Sequence, residues 1–365
     1  MRKITILIMI AAAVLISCNR EKEDFIWEYA GGNGTAFFIA HMPDSGFISA
    51  GTVDGNAYML KSTRKGKKDF SYLSAEEGAY RAIWYDTAYI LAAGASESQL
   101  LITLLDPQGN MIREDRIATE VSVSEVFLFT GAYEGSFVAL CGTGPDEGPD
   151  EISGLCIVHF DTSGAVLSNE ARIEQDFFRI SGAVVAAGGG FIVSVTKATG
   201  TARPKASVMK IDESLQTVWE RELINNPSYS AASLDVCEVQ GGYVVSGRTE
   251  LLFEGNLLNN SFAAGISQSG SVLWKKYPEN SNEGMAVTAA AGDLVYLLNR
   301  NCFIISMLSI TDGSEYRMLR IFNVCDSYDT EARAEEIVIN HEGNILIGGS
   351  RGGRYYLVMK PVIEE

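Results

Sequence analysis

The feature that most constrains the fold of this chain is an internal repeat of about fifty residues. In each copy a turn precedes an apolar anchor residue, and a β-rich stretch that ends in small residues follows it. The seven anchors are Phe47, Tyr89, Phe137, Phe191, Tyr243, Leu294 and Ile345, spaced by 42, 48, 54, 52, 51 and 51 residues. Repeats of this length build an array of equivalent supersecondary units. We number the copies repeat 1 to repeat 7 after their anchors.

Four short strands, A to D, are predicted in each repeat. A small apolar strand A, such as 183–186, precedes the anchor, and the anchor begins strand B. Strand C ends in a turn with the pattern D-x-x-G, as at 106–109 and 161–164. In such a turn Asp accepts backbone N–H groups, and Gly takes positive φ without steric cost. Strand D follows the turn and carries Trp219 or Trp274 in two repeats.

These repeats predict an all-β fold, a seven-bladed β-propeller of four-stranded antiparallel blades. The two ends of the chain complement each other, because repeat 7 stops after a third strand at 356–360 while 25–29 has the pattern of a fourth strand. We therefore expect the N-terminal strand to close the ring, which removes the exposed sheet edges. Six or eight blades, a solenoid and a pair of β-sandwiches are the alternatives.

The first residues have the pattern of a secretion signal. Arg2 and Lys3 precede an apolar run at 4–16, which is shorter than the roughly 20 residues that span a bilayer. The run ends in Leu15-Ile16-Ser17-Cys18, which resembles the lipobox of bacterial lipoproteins, where the cysteine is acylated. A plain secretory peptide with an accidental cysteine is the alternative.

The lipobox resemblance implies a signal peptide at 1–17, a lipidated tether at 18–24 with the lipid on Cys18, and the propeller at 25–365. The mature chain would then be an outer-membrane lipoprotein, on the cell surface or on the periplasmic face. Over 25–365 the repeat G-[FY]-[IV] … D-x-x-G-x-[VL]-x-W also resembles the β-propeller lipoproteins of Bacteroidota, whose blades are similar to quinoprotein and kelch blades. This second resemblance implies a binding or assembly module of the cell envelope, and it carries no cofactor or calcium residues across.

The charge of the chain excludes one class of partner. Against 29 Lys and Arg stand 46 Asp and Glu, a net charge of -17, and loss of Arg2 and Lys3 with the signal peptide leaves 27 against 46, or -19. Such a surface repels the phosphates of nucleic acids. We therefore expect no nucleic-acid partner, but the membrane through Cys18 and either an envelope protein or an anionic glycan.

The cysteines and histidines give no support for a metal site. Cys141 and Cys156 lie on neighbouring predicted strands, and either a disulfide or two buried thiols fits them. No C-x-x-C occurs, and the three histidines are far apart in the sequence, so a zinc site has no support from spacing. The cysteines after the anchor cysteine are Cys141, Cys156, Cys237, Cys302 and Cys325.

One acidic segment, 142–153, has ligands that calcium would accept. Its prolines at 145 and 149 and the absence of an EF-hand spacing favour a solvated acidic loop instead, and we expect no cofactor. The carboxylates of this segment are Asp146, Glu147, Asp150 and Glu151.

A candidate ligand site follows from cations at equivalent positions after strand B. In a propeller the B-to-C and D-to-A loops share one face at the channel mouth. In a chain this acidic, clustered cations indicate an anionic ligand, since guanidinium binds carboxylates in a bidentate manner. Local pairing of each cation with an acid such as Glu250 or Glu331 is the alternative. The candidate residues are Lys197, Arg248, Arg300 and Arg351, each five or six residues after its anchor, and Arg354 nearby.

Two further predictions concern function. The apolar segment 248–260 is predicted as a long loop that either packs over its blade or forms a protein-binding patch. No P-loop or H-E-x-x-H motif occurs, and the G-x-S-x-G pattern at 348–352 lies in a predicted strand B rather than at the strand-to-helix turn of a nucleophile elbow, so no catalytic residue is assigned. A non-enzymatic binding module is the favoured function, and a polysaccharide lyase or hydrolase on the same face is the alternative.

Overall fold

The computed structural model of the chain describes residues 27–130, 136–143, 152–174, 177–198, 202–224, 228–253, 256–278, 285–299, 304–320, 332–340 and 342–361. Regular structure in these residues is entirely β. Within the same residues no helix is long and apolar enough to cross a membrane. The all-β class predicted from the repeats is therefore confirmed.

The strands follow one another along the chain in antiparallel pairs. The strands of repeats 1 to 3 are β1 (Trp27–His41), β2 (Phe47–Val53), β3 (Asn56–Ser62), β4 (Lys68–Glu77), β5 (Ala79–Tyr85), β6 (Ile90–Ser96), β7 (Gln99–Leu105), β8 (Met111–Ile117), β9 (Glu125–Thr130), β10 (Ser136–Gly142), β11 (Gly154–Asp161) and β12 (Val166–Ile173). The strands of repeats 4 to 7 are β13 (Phe177–Val185), β14 (Phe191–Ala198), β15 (Lys205–Ile211), β16 (Thr217–Glu222), β17 (Tyr229–Val239), β18 (Gly242–Phe253), β19 (Asn256–Ser267), β20 (Val272–Lys276), β21 (Met285–Ala291), β22 (Leu294–Asn299), β23 (Ile304–Ser309), β24 (Glu315–Arg320), β25 (Ala332–Ile339), β26 (Ile345–Arg351) and β27 (Arg354–Lys360).

Five sheets contain four strands each, one sheet for each of repeats 2 to 6. A seven-stranded sheet joins both ends of the chain in the order β25-β26-β27-β1-β2-β3-β4. The long strand β1 makes this possible, because Trp27 lies opposite Met359 of β27 while His41 lies opposite Phe47 of β2. The first strand thus pairs with repeat 7 along its first part and with repeat 1 along its second.

The anchors mark strand B, as the repeat predicts. Strands β2, β14, β22 and β26 begin on their anchors, and β10 and β18 begin one residue before theirs. Repeat 2 needs a correction, because Tyr89 precedes its strand and is 38% exposed whereas Ile90 is 1% exposed. The sheet buries Ile90 at the position that the other anchors occupy.

The D-x-x-G turns form as predicted. The N–H of Gly109 donates to the carbonyl of Asp106 at 2.9 Å, and the carboxylate of Asp106 accepts from the N–H of Gln108 at 2.9 Å. Gly109 has a φ of 87°, a value that glycine adopts without the steric cost of a Cβ. Asp161 and Gly164 make the same contacts.

The described residues of the segment 248–260 form strands, contrary to the sequence-based prediction of a loop. Strands β18 and β19 continue through it as a hairpin, with Arg248 opposite Ser261 and Phe253 opposite Asn256. Pairing of the two strands satisfies their backbone N–H and C=O groups, which a loop would leave to water. The apolar, β-rich sequence at 248–253 and 256–260 therefore lengthens the two strands.

The core lies between neighbouring sheets. Among the described residues, seven apolar clusters each join two successive repeats, and one of them joins repeat 7 to repeat 1. In that cluster Leu346 and Tyr355 of repeat 7 pack with Phe47 of repeat 1. Full burial of such a side chain stabilises the fold by about 1.5–3 kcal/mol. Contacts between successive repeats therefore stabilise the fold.

Candidate functional site

Strand A of nearly every repeat contains a β-bulge at an equivalent position. Registers shift between Tyr80 and Ala82 in β5 and between Ala334 and Glu336 in β25, and β1, β13, β17 and β21 shift likewise. Strand β9 pairs without a shift. A bulge adds one residue and re-aims the side chains beside it. Here the added residues are Phe37, Arg81, Ser181, Leu234, Ala286 and Glu335.

The bulges line a central cavity of about 430 Å³. Strand A of each repeat contacts strand A of the next, and β25 contacts β1, so the A strands surround this space. Five of the six added residues line it; the side chain of the sixth, Ala286, lies outside the described side chains. The volume falls within the roughly 300–1,000 Å³ of small-molecule sites. We call this space the channel cavity.

One side of the channel cavity is aromatic. Strand β1 contributes Phe37 and Phe38, and strand β9 contributes Phe127 and Phe129. Arg81 lies between these strands, with its guanidinium carbon 3.8 Å from the centre of the Phe37 ring. Its Nη1 is 3.7 Å from Oε1 of Glu125. The single guanidinium among the lining residues is thus already held by a ring and a carboxylate.

The other side of the cavity is acidic. Asp235 and Glu238 lie on β17, and Glu335 and Glu336 lie on β25. Gly182 of β13 leaves room for Asp235, because a Cβ at Gly182 would lie 2.6 Å from Oδ1 of that aspartate. Glu335 forms an ion pair with Arg333. The lining residues therefore include five carboxylates and one guanidinium, and repeats 5 and 7 hold most of the negative charge.

The carboxyl of Glu336 has a perturbed pKa. Its Oε1 accepts a hydrogen bond from the N–H of Ile337 at 3.1 Å. Burial raises the pKa of Glu336 well above its ordinary value, and the negative charges of Asp235 and Glu335 raise this pKa further. Carboxyls with such shifts are concentrated at functional sites, because burial and like charges store electrostatic free energy that a ligand can release.

Lys197 and Arg351 lie at the ends of β14 and β26, Arg248 lies within the extended strand β18, and Arg354 begins β27. Two of these cations have acidic partners. Lys197 hydrogen-bonds Glu220 of β16 at 2.6 Å, and Nε of Arg248 lies 3.4 Å from Oε1 of Glu250. The second contact is the local pairing considered as the alternative to a ligand.

Arg351 and Arg354 come together in the turn of repeat 7, where they lie opposite each other in register. The guanidinium of Arg351 is 5.7 Å from the ring centre of Tyr356. Arg300 lies outside the described residues. An anionic ligand at these cations stays a prediction.

Cys141 and Cys156 lie opposite each other in register on β10 and β11, and both thiols are free and fully buried. Burial and the neighbouring Cys156 raise the pKa of the Cys141 thiol. Cys18, Cys302, Cys325 and the four carboxylates of the acidic segment lie outside the described residues. In the part of the chain that the structure describes, no three His, Cys, Asp or Glu side chains group closely enough to hold a metal ion.

The structure is similar to that of Drosophila Plexin A in complex with Semaphorin 1b, with 8% identity, 93% of this chain and 87% of that chain covered, and a TM-score of 0.56. This likeness supports the fold alone. The fold is a β-propeller. A weaker similarity is to the AfRom2 CNH domain, with 11% identity, 93% of this chain and 100% of that chain covered, and a TM-score of 0.49. Another is to a protein of unknown function from Bacteroides caccae, with 11% identity, 72% of this chain and 82% of that chain covered, and a TM-score of 0.42. No protein-family model and no curated protein matches the chain.

Sequence reasoning missed the channel cavity and its carboxylates. The signal that would have found them is the position of the bulge, since the added residues stand 8 to 10 positions before the anchors. Aligned at that offset, Phe37, Arg81 and Glu335 stand out from strands that are otherwise small and apolar.

Proposed function

We propose that this chain is a seven-bladed β-propeller closed by β1, held at the outer membrane by lipid on Cys18, and that it acts as a non-enzymatic binding module. Three observations support the blade count and the closure: seven sequence repeats, seven clusters between successive repeats, and the pairing of β1 with both β27 and β2. The lipobox supports the anchor. The resemblance to Bacteroidota lipoproteins supports the same location.

The channel cavity carries the proposal for binding. It is lined by residues from six of the seven repeats, and it combines an aromatic side with a small number of converging charged groups. This combination of apolar surface and a few oriented polar groups is typical of small-molecule sites. We place the ligand in this cavity, where it enters through the channel mouth.

The charges of the cavity select a cationic ligand. Asp235 and Glu336 face each other's negative charge, which an ammonium or guanidinium group would neutralise. The phenyl rings of Phe37, Phe38 and Phe127 offer apolar contact and the negative faces that attract cations. A small organic cation with an apolar part, free or at the end of a partner's side chain, fits both sides.

Calorimetric titration with three ligands of one size tests this proposal. Phenethylamine carries a ring and an ammonium group, phenethyl alcohol replaces the ammonium with a hydroxyl, and phenylacetate carries a negative charge. We expect the amine to bind most tightly and the carboxylate not at all. Asp235→Asn and Glu336→Gln should each weaken amine binding by roughly tenfold or more, because each removes a charge-assisted hydrogen bond of about 1.5–3 kcal/mol.

Glu220→Gln is the matched control, since it removes a carboxylate that is bound to Lys197 on the outer strand β16. It should leave amine binding unchanged. Equal affinity for the amine and the alcohol would show that charge plays no part, and tighter binding of phenylacetate would reverse the proposed ligand class.

A polysaccharide-cleaving enzyme is the second candidate, and one observation favours it. Glu336 has a raised pKa and lies beside Asp235 in a cavity, which is the arrangement of a general acid next to an ionised carboxylate. Incubation with pooled bacterial and plant polysaccharides should then release new reducing or unsaturated ends, and Glu336→Gln should abolish the release. A binding module releases none.

A further inference from the structure

The turn between strands C and D of repeat 1 differs in charge from the corresponding turns. Lys65, Lys67 and Lys68 are exposed here, and Arg64 lies beside them. The equivalent turns of repeats 2, 3, 4 and 6 instead carry an aspartate, at Asp106, Asp161, Asp212 and Asp312. Four cations in five residues, in a chain of net charge -17, form a distinct positive patch. We call residues 64–68 the basic turn.

The basic turn is held in a defined shape. The N–H of Gly66 donates to the carbonyl of Thr63 at 2.8 Å, and the N–H of Thr63 donates to the carbonyl of Lys67 at 2.8 Å. Two acids in this area form ion pairs with other cations: Glu342 with Arg64, and Asp69 with Lys61 at 3.2 Å. The charges of the three lysines are therefore presented on a closed turn and face solvent.

The basic turn lies beside the repeat in which the described chain begins. The ion pair between Arg64 and Glu342 links it to the turn between strands A and B of repeat 7. Trp27, the first described residue, pairs with Met359 near the end of β27 in the same repeat. Because the strands alternate in direction, the A-to-B turns, the C-to-D turns and the start of β1 share one face.

We propose that the basic turn binds the anionic phosphate headgroups of the lipid leaflet that holds the anchor. This inference rests on the proposed lipidation of Cys18. From Cys18 to Trp27 the chain can extend at most about 30 Å, whatever its conformation. The face with the basic turn therefore stays within reach of the bilayer, where each lysine near an anionic surface adds to the attraction. An acyl anchor with a polybasic patch is a sufficient pair of membrane signals.

The other turns of this face set the orientation. Their aspartates are repelled by an anionic surface, so the propeller should tilt with repeats 1 and 7 toward the bilayer and repeats 3 and 4 away from it. The opposite face, with Lys197 and the mouth of the channel cavity, then points to solvent. Lipid docking and ligand binding thus use opposite faces of the molecule.

Lysine acetylation on vesicles tests the inference with the intact acylated chain. The protein is inserted into vesicles of phosphatidylcholine alone or with about one third phosphatidylglycerol, treated with an acetylating ester and mapped by mass spectrometry. On anionic vesicles, acetylation of Lys65, Lys67 and Lys68 should fall by about threefold or more, and about 0.5 M salt should restore it by screening. Lys197 and Lys205, at the opposite face, should react equally on both vesicles.

Two variants separate the basic turn from general surface charge. Lys360, at the end of β27 on the same face, should also be protected on anionic vesicles in a salt-sensitive manner. Replacing Lys65, Lys67 and Lys68 by Ser should remove this protection of Lys360. The matched variant, Arg203→Ser with Lys205→Ser, removes two cations from the opposite face and should leave that protection intact.

Equal acetylation of the basic turn on neutral and anionic vesicles would overturn the inference, whether the turn is open or protected on both. The mass of the N-terminal peptide reports separately on the proposed lipoprotein. If Cys18 carries no acyl group, the anchor fails; if Cys18 is acylated and the turn is not selectively protected, only the lipid-docking inference fails.

Discussion

Tyr80 and Arg81 are neighbours in the chain, yet they lie in two different regions of the molecule. Tyr80 is fully buried between repeats 1 and 2, where its hydroxyl donates to Glu114 at 2.9 Å. Arg81 lines the channel cavity and stacks on Phe37. The bulge between Tyr80 and Ala82 separates these environments. One added residue thus lets the same strand supply both the packing between repeats and the lining of the channel.

The other bulged strands show the same division between a buried residue and a cavity-lining residue. Ala36, Ile180, Ser233 and Ala334 each precede an added residue and are each fully buried, while the added residues of these strands line the cavity. The position before the bulge is therefore under the packing constraint of the core. The position in the bulge is free to vary in chemistry, and it holds Phe, Arg, Ser, Leu or Glu.

The largest predicted effect is the difference in stability between a variant of Tyr80 and a variant of Arg81. Tyr80→Ala should destabilise the protein by about 3–5 kcal/mol, because it leaves a cavity between two repeats and removes one donor from Glu114. Arg81→Ala should cost about 1 kcal/mol or less, since it removes a ring contact and a partly exposed ion pair. Urea unfolding followed by fluorescence measures both free energies. Similar losses for the two variants would contradict the division of the strand into two environments.

The next effect concerns the pH dependence of stability in the channel. The pKa of Glu336 is raised in the folded chain by burial and by Asp235 and Glu335, while Arg333 pairs with Glu335 and Arg81 with Glu125. In the unfolded chain the carboxyl of Glu336 has its ordinary pKa of about 4.5, so above this pH the unfolded chain loses the carboxyl proton while the folded chain keeps it. Folding therefore becomes less favourable as pH rises, until the pKa of the folded chain is passed. Glu336→Gln has no carboxyl to ionise, so it removes this decrease in stability. The variant should therefore gain stability over wild type as pH rises from 4 to 8, by about 1.4 kcal/mol per unit of pKa shift.

Asp106→Asn is the control, and its stability relative to wild type should change with pH in the opposite direction. The pKa of Asp106 is lowered by hydrogen bonds from Asn110 and from the N–H groups of its turn, so its stabilising contribution is present at neutral pH and is lost as pH falls through the folded pKa. Asp106→Asn should thus be less stable than wild type at pH 7 and approach it in acid. Parallel pH curves for Glu336→Gln and wild type would mean that the channel carboxyl is not perturbed.

The regular parts of each repeat could be predicted from the sequence, and the bulges could not. Apolar anchors such as Phe47 and turns such as 106–109 have local patterns, because burial and positive φ restrict the residue type. A bulge restricts no residue type, because it only shifts the alternation of inward and outward side chains by one residue. In β17 the run Ser233-Leu234-Asp235-Val236 therefore resembles a strand with one solvent-facing acid, whereas the fold aims Asp235 at the channel.

The same limit applied to the cations after strand B. Their spacing was visible in the repeat, but a partner acid two residues away, as for Arg248 and Glu250, or on another strand, as for Lys197 and Glu220, depends on side-chain geometry. Sequence spacing places residues at equivalent points of a ring. It does not show which of them already have partners.

The smallest effect on stability should come from these cations, and it sharpens the contrast between the cations predicted at the channel mouth and the residues that line the channel cavity. Replacing Arg248, Arg300 and Arg351 together by Ala should change the free energy of unfolding by less than about 1 kcal/mol per residue, since an exposed ion pair such as that of Arg248 with Glu250 contributes little. Amine binding in the channel cavity should stay at the wild-type level. If the cations bind an anionic glycan, retention on immobilised acidic polysaccharide should fall in the triple variant but not in Glu336→Gln. Unchanged retention on every acidic polysaccharide that the wild type binds would exclude the cations as a ligand site and leave the channel cavity as the candidate.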